Sequence, residues 1–269
     1  MNRKTALTCI LALFLGGANA CKYVMPERYV DYNKGRVAVN LPRDLKFSEV
    51  DRDIEKATAA VITVTDDGRM YVGTDHSPIE GGVLSARVKA LLAQEPDADK
   101  VVYLAADMAA DYGHVVSACD EIRMADVERI GLLVNRVRYD WPTRLTVEIP
   151  KQPNPNDDLN MLKPNPLTLL ATISPSLEVT LNAEPIGSVN DLESFNRKLQ
   201  EIFRQREDNY ALKPGYETRT DLPMSERVEK TLTIKAPKRS KYGDVVKVID
   251  AARGAGARPI VLQIDDLPN

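Results

Sequence analysis

The chain repeats itself, and this repetition limits its architecture more than any single motif does. The stretch VVYLAADMAADYGHVVSACDEIRMADVERIGLLVNR at 101–136 aligns without a gap to TLTIKAPKRSKYGDVVKVIDAARGAGARPIVLQIDD at 231–266. The offset is a constant 130, and 10 of 36 positions are identical. Tyr112, Gly113, Val115, Val116, Asp120 and Arg123 recur as Tyr242, Gly243, Val245, Val246, Asp250 and Arg253. Upstream, Arg36-Val-Ala-Val-Asn-Leu-Pro42 is answered by Arg144-Leu-Thr-Val-Glu-Ile-Pro150 at an offset of 108. Val61–Thr65 and Met70–Val72 are answered by Leu170–Ser174 and Val179–Leu181 at 109. The offset then jumps within Arg204–Lys230, a polar stretch holding Pro214, Gly215 and Pro223. The second copy therefore reads as the first with a long loop inserted.

Each copy predicts the same elements. An alternating extended segment ending in Pro comes first, Val37–Leu41 and Leu145–Ile149, followed by a hairpin, with Asp67-Gly68 as a two-residue turn in copy one. A helix follows, Val83–Leu92 in copy one and Asn190–Phe203, with an Asn cap, in copy two. A β-α-β unit closes each copy; in the first, Val101–Ala105 and Ile130–Val134 flank a helix with Val115, Val116, Cys119 and Ile122 on one face. The expected class is α+β: two similar small domains, at 36–140 and 144–269, each a mixed β-sheet packed with two α-helices in the order β-β-β-α-β-α-β. With one Trp and four Phe in 269 residues, each domain is expected to hold its own modest core. Five prolines between Pro150 and Pro166 exclude a regular element there.

Ahead of the repeats, Arg3 and Lys4 precede an apolar run from Ala6 to Ala18 and the tripeptide Ala18-Asn19-Ala20, the pattern of a signal peptide over 1–20. As a helix the run spans roughly 20 Å, short of the roughly 30 Å of a bilayer core. Cys21 then stands either as the acylated residue of a lipoprotein or as the first residue after an ordinary cut, and 21–35 is a linker. An uncleaved anchor reaching Met25 is the third arrangement. Loss of Arg3 and Lys4 takes the formal charge from −3 to −5, so no positive field exists to attract nucleic acid. Cys21 and Cys119 cannot form a disulfide framework, and His76 and His114 stand alone, so neither metal nor cofactor is expected.

Asp107, Asp111 and Asp120 form the one compact carboxylate set near a helix start. Asp111 suits the positive end of the helix dipole, and Asp120 is expected to face solvent. There is no Gly-x-Ser-x-Gly, His-Glu-x-x-His, Ser-x-x-Lys or phosphate-cradling loop, so an enzyme is not expected and a secreted hydrolase is the remote alternative.

Three features together carry a resemblance: the segment Val39-Asn40-Leu41-Pro42, the hairpin before the first helix, and the pattern Tyr-Gly-x-Val-Val-x-x-x-Asp-x-x-Arg, present twice. They resemble the periplasmic domain of the ExbD/TolR family, accessory subunits of proton-driven envelope motors. Copy two departs at Glu148-Ile149-Pro150. The resemblance implies a non-catalytic periplasmic or lipid-anchored envelope protein linked to biopolymer transport, with a motor or TonB-like partner. The two domains are expected to pair as an intramolecular pseudo-dimer. Partner contact by strand addition is expected at Val39, Asn40, Leu41, Pro42, Ile149 and Pro150; the plain counter-reading is a pair of edge strands capped by Pro. Family members carry a membrane helix with a proton-bearing aspartate, whereas Ala6–Ala18 has no acidic residue, so proton coupling by this chain is not expected. The family's other implied ligand is peptidoglycan, for which Lys235, Lys238, Arg239 and Lys241 form a basic cluster before the second Tyr-Gly.

Overall fold

The computed structural model describes residues 35–55, 59–93, 101–136, 143–151 and 165–268. The leader, Cys21, most of the linker and the greater part of the proline-rich segment lie outside the described residues. Copy one supplies β1 (Glu49–Val50), β2 (Val61–Val64), β3 (Met70–Val72), α1 (Leu84–Leu92), β4 (Val102–Ala106), α2 (Tyr112–Arg123) and β5 (Arg129–Val134). Copy two supplies β6 (Thr143–Glu148), β7 (Leu169–Ile173), β8 (Glu178–Leu181), β9 (Glu184–Ser188), α3 (Glu193–Asp208), α4 (Met224–Arg227), β10 (Leu232–Lys235), α5 (Tyr242–Gly254) and β11 (Ile260–Leu262). Among the described residues no helix is long and apolar enough to cross a membrane.

The α+β class holds, but the sheets are not separate. All strands of the described residues join one 11-stranded mixed sheet in the order β3-β2-β4-β5-β6-β11-β10-β7-β8-β9, with β1 also paired to β6. The expectation of two cores is corrected accordingly. One contiguous apolar cluster runs from Ile62 and Leu104 in copy one through Leu145 and Val147 on β6 to Ile234 and Phe195 in copy two. The joint is β6, which lies antiparallel to β5 along its whole length, from Arg129 opposite Glu148 to Val134 opposite Thr143. Its other side meets β11 at Val261 opposite Glu148 and β1 at Glu49 opposite Arg144.

The matching segment of copy one takes a different place. Residues 37–42 form no strand; Val39 and Leu41 are buried against Val61, Tyr103, Ala105 and Leu133, on a second, smaller apolar cluster. Burying these two side chains contributes about 1.5–3 kcal/mol each. It also explains why β4 is buried at every position: alternate residues feed the two clusters. Only one strand can occupy the free side of β5. Residues 143–148 follow β5 closely in sequence, so they close that pairing at far lower entropic cost than residues 36–42, about ninety positions upstream.

Three local expectations change. The first hairpin loop has three residues, not two: Thr65 N–H donates to Arg69 O at 3.0 Å, Gly68 N–H donates to Thr65 O at 2.9 Å, and Gly68 sits at φ +84°. Helix α3 starts at Glu193 without an Asn cap and runs on to Asp208, so the inserted stretch begins as helix and ends with α4. The strand β9 was not foreseen. It is reached by a two-residue turn, Asn182-Ala183, with φ +49° and +69° between the paired Leu181 and Glu184. An alanine in left-handed backbone costs about 1 kcal/mol, so Ala183→Gly is expected to stabilise the fold by about 0.5–1 kcal/mol in urea unfolding.

Candidate functional site

An α-helix leaves its first amides without partners, and here each repeat supplies them for the other. At α2, Tyr112 N–H donates to Ser240 O and Gly113 N–H to Lys238 O, both at 2.7 Å. At α5, Tyr242 N–H donates to Ala110 O at 2.9 Å and Gly243 N–H to Met108 O at 3.0 Å. Every donor and acceptor in one pair is 130 residues from its counterpart in the other, so the two contacts are related by a pseudo-twofold. This contact gives the Tyr-Gly motif its physical meaning. A Cβ on Gly113 would stand 3.1 Å from the Lys238 Cβ, and one on Gly243 would stand 3.1 Å from the Met108 Cβ. Asp111 and Lys241, the residues before the two tyrosines, face each other across the junction and pair at 2.8 Å. This pairing, together with the lysine's charge, holds the Asp111 carboxyl below its ordinary pKa.

The motif arginines also reach across. Arg123 of α2 pairs with Asp265 at 2.8 Å and with its neighbour Asp120; Arg253 of α5 pairs with Glu49. Asp250 differs from its counterpart Asp120. It is buried and accepts the N–H groups of Lys46 at 3.0 Å and Phe47 at 2.8 Å, tying the segment before β1 to α5. The aromatic ring of Phe47 covers Gly254, where an added Cβ would collide with it. Burial raises the Asp250 pKa against the pull of the two amides.

Tyr112 and Tyr242 are fully buried, and among the described residues their hydroxyls have no hydrogen-bond partner. Burial drives both phenols far above their ordinary pKa and pushes the nearby Cys119 thiol up to about 12. A buried hydroxyl without a partner costs about 1–3 kcal/mol. Tyr112→Phe and Tyr242→Phe are therefore expected to leave stability unchanged or raise it by about 1 kcal/mol, read from the denaturation midpoint.

The segment Val39-Asn40-Leu41-Pro42 is held by Asp107. Its Oδ2 accepts the backbone N–H of Asn40 at 2.9 Å and the side-chain amide at 3.3 Å, and its Oδ1 accepts Ala109 N–H at 2.9 Å. Further on, Asn135 N–H donates to Pro42 O at 2.8 Å. Val39, Leu41, Pro42 and Ile149 are buried, Pro150 is half-buried, and Asn40 is exposed. Neither segment is the edge strand that the sequence suggested: 37–41 lies on a sheet face, and β6 has neighbours on both sides. Asp107, Asp111 and Asp120 do not act on a common partner, since they engage Asn40, Lys241 and Arg123 respectively. Of the basic cluster, Lys238 and Arg239 are exposed and Lys241 is paired. Among the described residues no group of acidic, His or Cys side chains could hold a metal ion.

Sequence reasoning missed the cross-repeat partners Met108, Lys238, Glu49 and Asp265. A usable signal was present in the glycine of each helix's first turn, where a helix-weakening residue marks a close backbone approach.

The fold and its junction define a class, two similar α+β units fused through one sheet and locked by reciprocal helix-start contacts. The family model for biopolymer transport protein ExbD/TolR matches residues 33–137 and again 139–267, and the chain belongs to that family. Among curated relatives, the biopolymer transport protein ExbD of Neisseria gonorrhoeae and that of Neisseria meningitidis serogroup B are each 36% identical over 73 residues. That match covers 27% of this chain and 49% of each relative, so the chain spans about half the length of the curated relatives it matches. No solved structure matches the chain significantly.

Proposed function

We propose that this chain is a non-catalytic accessory protein of biopolymer transport in the bacterial envelope, working as a ready-made pair of ExbD/TolR-type units that binds a motor or TonB-like protein. The observation that carries the reading is the reciprocal contact at Tyr112-Gly113 and Tyr242-Gly243, which joins the two family matches without a second chain. Holding both units in one chain removes the association entropy that separate subunits lose on pairing. Partner contact by strand addition fits the outer side of β9, which among the described strands pairs only with β8 along the sheet and leaves Glu184, Pro185 and Gly187 exposed. The Asn40–Pro42 segment, released from Asp107, is the second contact.

The test is photo-crosslinking in the native envelope from probes at the exposed Glu184 and Asn40. Recovery of a motor or TonB-like component from either position supports the reading, and consistent absence from both removes it. A second reading, peptidoglycan binding, rests on the exposed Lys238 and Arg239. Equal sedimentation of the wild type and of the Lys238→Ala, Arg239→Ala double variant with purified sacculi eliminates that reading.

A further inference from the structure

The side of β6 that faces away from β5 runs from Arg144, paired with Glu49, to Glu148, paired with Val261. Between these two points lies a cleft of about 340 Å3, lined by Glu49, Thr146, Glu148, Lys213, Arg253 and Arg258, a volume within the range of small-molecule sites. Both repeats contribute to it, and so does the insertion present only in copy two. Lys213 N–H donates to Arg227 O at 2.8 Å and Leu212 bridges Val228, which fixes the insertion where Lys213 reaches the cleft.

The charges in the cleft are mixed and unequally used. Glu49 already pairs with Arg253, and Arg258 stands 3.8 Å from it with 64% of its side chain exposed. Burial and the neighbouring Glu128 raise the Glu148 pKa against the pull of Arg129 and Lys213, and the Lys213 Nζ lies 5.3 Å over the ring of Tyr216; among the described residues neither Glu148 nor Lys213 is closed into an ion pair. A simple anion in this cleft would meet Glu148, and a simple cation would meet Lys213 and Arg258. A ligand carrying both charges a few ångströms apart satisfies both sets without leaving a like charge opposed. We propose that this cleft binds an α-amino-acid-type zwitterion, its ammonium on Glu148 and its carboxylate on Lys213 and Arg258. The site is independent of the partner-binding reading, because none of its residues belongs to β9 or to 39–42.

Titration of the full chain with glycine and with glycylglycine, followed by amide chemical shifts, tests the proposal. Saturable binding at millimolar concentration is expected, with shifts at Thr146, Glu148 and Lys213. N-acetylglycine, which lacks the ammonium, and glycine methyl ester, which lacks the carboxylate, are each expected to bind at least about tenfold more weakly. Lys213→Ala and Glu148→Gln are expected to weaken glycine by a similar factor. A preference for glycine identifies a free amino acid, and a preference for glycylglycine a peptide-borne one. Absence of saturable binding by both zwitterions, or equal binding by the two blocked analogues, overturns the proposal without recourse to any variant.

Discussion

Replacing Gly113 and Gly243 together by valine is expected to lower stability by about 3 kcal/mol, the largest effect of any substitution at the repeat junction. The added Cβ atoms meet Met108 and Lys238 at 3.1 Å, and the opposing carbonyls at 3.2 and 3.3 Å. Backbone on the far side has little room to yield, because those carbonyls accept the helix-start amides. The double variant is expected to cost less than the sum of the singles, since either substitution already opens the junction that the two share. The measurement is a urea series on the wild type, both singles and the double. Valine variants that unfold at the wild-type midpoint would show that the helix starts do not hold the two repeats together.

Asp107→Ala is expected to cost about 2–4 kcal/mol and to release the segment around Asn40. The carboxylate accepts three N–H groups, two of them from Asn40, and hydrogen bonds to a charged acceptor are worth about 1.5–3 kcal/mol apiece. The loss falls below the full sum because Asn40 is exposed and water replaces part of it. Hydrogen exchange gives the specific readout. The amides of Asn40 and Ala109 are expected to lose protection first, along with Met108, whose N–H donates to Asn40 O at 2.8 Å. Asp107→Asn keeps one good acceptor and is expected to fall between the wild type and alanine. Protection unchanged in the alanine variant would mean that Val39 and Leu41 hold the segment by burial alone. The same variant bears on partner binding: if the released segment is a contact surface, crosslinking from a probe at Asn40 increases.

Much of this was legible along the chain. The offset of 130 marked the β-α-β units, and the apolar positions Val115, Val116, Cys119 and Ile122 marked a buried helix face, because helical periodicity is written in neighbouring residues. The Tyr-Gly-x-Val-Val-x-x-x-Asp-x-x-Arg pattern pointed to the residues that form the junction, though not to what they touch. Their partners Met108, Lys238, Glu49 and Asp265 sit in or beside loops and carry no periodic signal of their own.

The sequence by itself determined the β-α-β unit of each repeat, the correspondence between the repeats and the family. Tertiary structure decided where equal segments go. Arg36–Pro42 and Arg144–Pro150 correspond in the two repeats and share the same alternating pattern, yet one lies across a sheet face and the other becomes the strand that fuses the two halves. The free side of β5 admits a single strand, and chain connectivity, invisible in either segment taken alone, awards it to the one that follows closest in the chain.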